Sequence, residues 1–240
     1  METPVVLITG GARRIGAALC RAFASAGWRV VIHCHRSQAA AKRLARELGD
    51  AAVICGDLRV DSQRLVEQAA LCFGRLDGLV NNASTYQRRP LDEMSEDALR
   101  EDFEVNFFAP FALMRAFAAR RQPGFILNLL DGRVTKQEPQ AAGYLLAKQS
   151  LAEATRLGAL AWASLGIRVN GVAPGLVRPA AGVPLSKMSR LVEKLPLKRR
   201  TTEAELAEAA LFLANAHGVT GEILFVDAGM HLAEVSLGEK

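Results

Sequence analysis

Tyr144 and Lys148 stand four residues apart in an Ala/Leu-rich run that reads as a helix to about residue 165. At that spacing both side chains lie on one helix face, a turn apart. An ammonium beside a phenol favours the phenolate, which lowers the tyrosine pKa from about 10 toward neutrality. A tyrosine so tuned can act as a general acid near neutral pH. Upstream, Asp131 ends an apolar run and precedes Gly132, where a strand would deliver it to the start of the same helix. Carbonyl reduction builds negative charge on oxygen, and an ionised carboxylate a few ångströms away would oppose it. Reduction of a C=N bond instead needs a proton on nitrogen. A carboxyl beside a tyrosine can relay that proton and can hydrogen-bond ring N–H groups. Asp131 therefore favours a nitrogen heterocycle over an ordinary ketone.

Four other stretches could contribute. Thr9-Gly10-Gly11-Ala12-Arg13-Arg14-Ile15-Gly16 joins an apolar run to a helical one. Glycines there let the backbone approach a pyrophosphate, and the helix start offers free N–H groups. Arg14 takes a place where glycine is expected, setting a guanidinium beside the phosphates with reach toward a second anionic or planar ligand. His33-Cys34-His35-Arg36-Ser37 follows the second apolar run, and no Asp or Glu stands between Gly27 and Arg46. Arg36 suits a 2′-phosphate, which points to NADP over NAD. Asp57-Leu58 can meet an adenine edge, and Asn81-Asn82-Ala83-Ser84 forms a polar turn, although both also fit ordinary turn chemistry. Asn106 sits mid-helix, a poor place for asparagine unless its side chain has a job.

The elements that must position these groups alternate regularly. Apolar runs predict strands at 5–8, 30–33, 52–55, 78–80, 125–129, 168–172 and 223–226. Helices are expected at 15–26, 39–48, 61–73, 97–121, 143–165 and 203–213. Continuous apolar strands between helices predict an α/β fold, a single Rossmann-type doubly wound parallel sheet with helices on both faces, spanning 1–240. Ligands bind such sheets at the carboxyl ends of the strands, where the stretches above fall. Residues 176–200, rich in Pro, Lys and Arg, are long for a connection and read as a substrate lid.

Composition narrows the class. The 240 residues, 50% of them hydrophobic, suffice for a large core. No uncharged apolar run is long enough to span a bilayer. Met1-Glu2-Thr3-Pro4 leads into a strand without the pattern of a signal peptide, so the expected compartment is the cytoplasm. Cys20, Cys34, Cys55 and Cys72 lack metal or redox spacing and read as buried free thiols. The net charge of +5 comes with dispersed basic pairs, unlike the stripe of a nucleic-acid binder, and suits an anionic small molecule.

In order, Thr9-Gly10 through Ile15-Gly16, Asn81-Asn82-Ala83, Asn106, Tyr144-x-x-x-Lys148, Pro174-Gly175 and Val226-Asp227-Ala228-Gly229 resemble the short-chain dehydrogenase/reductase family over nearly the whole chain. The resemblance implies an NAD(P) fold, usually a homotetramer, with Asn106, Tyr144 and Lys148 forming a proton relay. In it Asn106 would fix a water beside Lys148, and Lys148 would hold the ribose hydroxyls. Most members carry serine where this chain has Asp131 and glycine where it has Arg14. Those departures, with His33-x-His35-Arg36-Ser37 and Asn81 through Ser84, resemble the pteridine reductases and the related dihydromonapterin and alternative dihydrofolate reductases. By that likeness Gly10, Arg13, Arg14, Ile15, His35, Arg36, Ser37, Asp57, Leu58, Asn82, Ala83, Ser84, Tyr144, Lys148, Pro174 and Gly175 hold NADPH. Arg14, Ser84, Tyr86, Asp131 and Tyr144 would meet a pterin or folate, Tyr86 by stacking. The implied reaction is reduction of a pterin or dihydropterin C=N bond. A carbonyl or 3-oxoacyl reductase, with Asp131 protonated or turned away, is the alternative. A non-catalytic NADP-binding sensor would have no need of Tyr144, Lys148 and Asn106 together.

Overall fold

A computed structural model describes residues 2–178 and 185–233, so residues 179–184 of the expected lid lie outside the described residues. The elements run β1 (Val5–Ile8), α1 (Arg14–Ser25), β2 (Arg29–Cys34), α2 (Gln38–Leu48), β3 (Ala51–Cys55), α3 (Leu58–Phe73) and β4 (Gly78–Asn81). After these come α4 (Glu96–Phe103), α5 (Ala109–Ala119), β5 (Gly124–Leu129), α6 (Ala142–Ala161), β6 (Ile167–Pro174), α7 (Leu185–Glu193), α8 (Glu203–Asn215) and β7 (Ile223–Val226). Seven strands pair in parallel in the order β3-β2-β1-β4-β5-β6-β7.

The apolar strands have two layers to fill. Val5 and Leu7 pack with residues of α3, α5 and α6, whereas Val6 and Ile8 pack with residues of α1, α2 and α8. A strand presents successive side chains to opposite faces, so coverage on both sides requires the unbroken hydrophobic run that the sequence displays. Strand order reverses at β1, between β2 and β4, and such a switch point opens a crevice at the strands' carboxyl ends.

Three local features differ from the sequence expectation. The helix expected over 97–121 contains a π-helical turn, Glu104–Phe108, between α4 and α5. Helix α6 stops at Ala161, and a 3₁₀ turn (Ala163–Leu165) ends at Gly166 with φ +71°, a conformation that glycine adopts without strain. The thiols are neither all buried nor all apart: Cys72 is exposed, and the in-register pairing of β2 with β3 brings Cys34 Sγ within 3.3 Å of Cys55 Sγ. None of the helices among the described residues is long and apolar enough to cross a membrane.

Candidate active site

The site begins where β1 and β4 end side by side. Thr9 Oγ1 accepts the backbone N–H groups of Asn82 (2.9 Å) and Ala83 (3.0 Å). Asn82 Nδ2 donates back to the carbonyls of Thr9 (2.8 Å) and Gly10 (3.2 Å). The polar turn after β4 therefore fixes the glycine turn before α1. Gly16 has no room for a side chain, since a Cβ there would stand 2.3 Å from the Gly10 carbonyl oxygen. Arg14 has φ +51°, which explains why glycine is expected at this position; a non-glycine residue holds it at a strain of roughly 1–2 kcal/mol.

His33, to which the sequence reading gave no role, supports this turn from beneath. The Gly10 N–H donates to its Nδ1 (3.3 Å), so Nε2 carries the hydrogen and donates to the Gly56 carbonyl (3.2 Å). Burial lowers the His33 pKa, in keeping with a neutral ring. His35, Arg36 and Ser37 follow at the end of β2, with His35 and Arg36 exposed. Asp57 caps α3 through the Arg59 N–H, and hydrogen bonds from the Arg59 side chain hold its carboxyl down to about 2. Leu58 is buried in the core.

A cleft of about 400 Å³ opens at the switch point. Arg14 and Ile15 line it from α1, while Asn82, Ser84 and Tyr86 line it from the segment after β4. Asp131 lines it from the end of β5, Tyr144 and Lys148 from α6, and Pro174 and Gly175 from the end of β6. Gly10, Arg13 and Ala83 belong to the turns behind it.

At its floor Tyr144 donates its hydroxyl to Asp131 Oδ2 (3.1 Å). Lys148 points elsewhere, donating from Nζ to the Leu129 carbonyl (2.7 Å), and its Nζ lies 6.0 Å from the Tyr144 ring centroid. The expected lowering of the tyrosine pKa by lysine is therefore replaced by the opposite. Burial, and then the facing Asp131 carboxylate, raise the Tyr144 pKa well above its ordinary value, so the phenol keeps its proton. Burial also brings Lys148 down to about 8, against the pull of Asp131.

Asp131 is ionised because of a residue that sequence reasoning missed. Burial alone pushes its carboxyl up, but the charge and hydrogen bonds of Arg133 outweigh that and leave it below the usual carboxylate range. Arg133 donates from Nε to Oδ1 and from Nη2 to Oδ2, each at 2.9 Å, and its backbone N–H also reaches Oδ1 at 2.9 Å. The signal was present as Asp-Gly-Arg in a turn flanked by apolar residues, a spacing that lets one residue supply both a backbone donor and a guanidinium fork.

Asn106, fully buried in the π turn, has the partners its mid-helix position demanded. Its Oδ1 accepts from Ser84 Oγ (2.6 Å) and the Thr85 N–H (3.3 Å), and its Nδ2 donates to the carbonyls of Thr85 (3.0 Å) and Asp102 (2.9 Å). With two acceptor and two donor positions occupied by protein, the amide has no position left for the expected water. It anchors the Ser84–Thr85 segment.

The family model described as enoyl-(acyl carrier protein) reductase matches residues 10–231. This chain belongs to the short-chain dehydrogenase/reductase family. Pteridine reductase 1 of Leishmania tarentolae is 33% identical to it over 95% of this chain and 96% of the relative. The mouse L-fucose dehydrogenase is 34% identical over 98% of this chain and 90% of its own. The crystal structure of FolM alternative dihydrofolate reductase 1 from Brucella canis, complexed with NADP, has a TM-score of 0.92 and 35% identity, covering 99% of this chain and 97% of that one.

Proposed function

We propose that this reductase uses NADPH to reduce C=N bonds of pterins, dihydropterins or dihydrofolate. The observation that carries the reading is the Tyr144 hydroxyl held by an ionised Asp131 in the cleft. Negative charge there opposes an oxyanion but accepts hydrogen bonds from the N–H groups of a heterocycle. The likeness to a pteridine reductase and an alternative dihydrofolate reductase supports the same substrate class.

The glycine turn fits a dinucleotide. The space denied to a Gly16 side chain and the start of α1 suit a pyrophosphate, and Arg36 with Ser37 suits a 2′-phosphate. His35, Asp57, Leu58, Asn82, Ala83, Pro174 and Gly175 complete the cofactor's surroundings in this reading. When bound, NADPH supplies the hydride that reaches the imine carbon. Tyr144 supplies the proton to the adjacent nitrogen. Lys148 holds ribose hydroxyls and contributes a positive charge nearby, while Asn106 positions Ser84. Tyr86, 40% exposed and edge-on to Tyr144 at 4.9 Å between centroids, offers a ring for a planar substrate to stack on, in a cleft that Arg14 also lines.

Of the expected lid, α7 is the described helix, and it covers the substrate in this reading, with the chain acting as one catalytic domain. Exposed Phe108, Phe111, Leu157 and Leu160 support a helix-packed homotetramer. We assign the enzyme to the cytoplasm.

NADPH oxidation with dihydropterins, dihydrofolate, folate and simple ketones, with NADH in parallel, tests the reading. Pterin turnover with NADPH is expected. Ketone turnover with pterins inert would favour the carbonyl reductase, a reading to which the L-fucose dehydrogenase likeness lends weight.

A further inference from the structure

We infer that Arg133 is a positioning residue that locks Asp131 as a hydrogen-bond acceptor only, so that a substrate N–H enters by displacing the Tyr144 hydroxyl from Asp131 and the proton comes from Tyr144 alone. The substrate's identity rests on the pterin reading; the clamp rests on geometry.

A carboxylate offers about four lone-pair positions. Here all four are taken: Oδ1 accepts the backbone N–H and Nε of Arg133, and Oδ2 accepts Arg133 Nη2 and the Tyr144 hydroxyl. Three of these bonds come from one residue, and two of them are charge-assisted and bidentate, the strong kind. The fourth, at 3.1 Å, is the longest and comes from a neutral donor. A ring bearing N–H groups can therefore reach Asp131 by taking the phenol's place. The released hydroxyl then turns to the ring nitrogen. Its proton ends on that nitrogen as the C=N electron pair moves onto it and the hydride reaches the neighbouring carbon; the phenolate left behind is reprotonated from solvent.

Arg133 is placed for this task rather than for the surface. Its side chain is 5% exposed, its guanidinium lies 5.6 Å from the Tyr86 ring centroid and 5.8 Å from that of Tyr144, and its Nη1 is buried without a hydrogen-bond partner among the described residues. A buried guanidinium with an unpaired donor is costly. One cation thus touches Asp131, Tyr144 and Tyr86 together. The other charged or titratable groups lining the cleft with Asp131 come from several elements: Arg14 from α1, Tyr86 from the segment after β4, and Arg178 and Glu203, which pair with each other. From α6 come Tyr144 and Lys148, the latter turned to Leu129. From the segment after β7, Asp227 stands behind Gly132 and pairs with His231. The ion pair that holds Asp131 is the one with Arg133.

The test is kcat/KM against pH, between about pH 5 and 9, for wild type, Asp131→Asn, Arg133→Met, Arg133→Lys and the Arg133→Met/Asp131→Asn double variant. Wild type should show no acid limb that Asp131→Asn removes. Arg133→Met should acquire one, falling about tenfold per pH unit below its apparent pKa, because the carboxyl must stay ionised to accept. The limb should vanish in the double variant and move part of the way back in Arg133→Lys, which restores the charge without the fork. A merely structural arginine would lower all rates without creating that limb. The inference is overturned if Arg133→Met follows the wild-type profile, or gains activity at low pH as a relay through protonated Asp131 would. If ketones are turned over and pterins are not, the substrate reading fails while the same profiles still judge the clamp. Should no substrate serve, or a variant not fold, carbon NMR of the wild-type Asp131 carboxyl decides. It should titrate below the usual carboxylate range, and titration within or above that range would overturn the clamp.

Discussion

The Tyr144 hydroxyl donates to Asp131 Oδ2 across 3.1 Å, so the phenol rests against a carboxylate and not against the lysine one turn along α6. Tyr144 therefore starts the reaction protonated. Tyr144→Phe removes the only proton on that contact. We expect kcat to fall by about 10²- to 10⁴-fold, as read by steady-state kinetics.

Asp131→Ser restores the hydroxyl that most family members carry there. Turnover of a dihydropterin should drop by about a hundredfold or more, and activity on a small ketone should hold or rise, because the charge opposing an oxyanion is gone. A variant that reduced pterins as well as wild type would remove the basis for the heterocycle reading.

Arg36→Glu places a carboxylate where a 2′-phosphate is expected and a ribose hydroxyl is the alternative partner. The ratio of kcat/KM for NADPH over NADH should fall by about tenfold or more, the size of one charge-assisted hydrogen bond. An unchanged ratio would locate cofactor selection elsewhere.

Lys148 is expected to cost stability while serving the reaction. Its folded-state pKa, about 8, lies below the ordinary lysine value of 10.5. Between those values the unfolded chain binds the proton and the folded chain does not, so stability rises with pH across that window. Below about pH 8 the penalty is present in full, on the order of 3 kcal/mol. Lys148→Met should abolish turnover yet melt higher than wild type near neutral pH. Denaturation at a series of pH values should show the advantage shrinking from about pH 8 toward pH 10.5.

The strands were legible because burial on both faces leaves no choice but unbroken apolar runs such as Val5-Val6-Leu7-Ile8. The cleft residues were legible because a parallel sheet places all its strand ends on one edge, whatever the sequence distance between Arg14 and Tyr144. What escaped depends on side-chain direction. The i,i+4 spacing put Lys148 and Tyr144 on one face, but the carbonyl of Leu129, supplied by a different element, decides where the ammonium points. Arg133 drew no notice because nothing local records that Tyr86, nearly fifty residues away in sequence, lies against its guanidinium. His33 looked like half of an alternating His pair; its partners, Gly10 and Gly56, come from the ends of two other strands.

The wide turn at 104–108 also bears on how this chain tolerates change in length. A π turn holds one residue more than an α turn spanning the same rise, and that surplus lets Asn106 sit where it reaches both Ser84 and Thr85. Loss of a single residue here could be absorbed by reversion to an ordinary helix, with α4 and α5 still continuous. The protein would then fold with its amide swung away from the segment it anchors. At this point of the chain the number of residues, as much as their identity, carries the function, and a gap of one matters more than many substitutions.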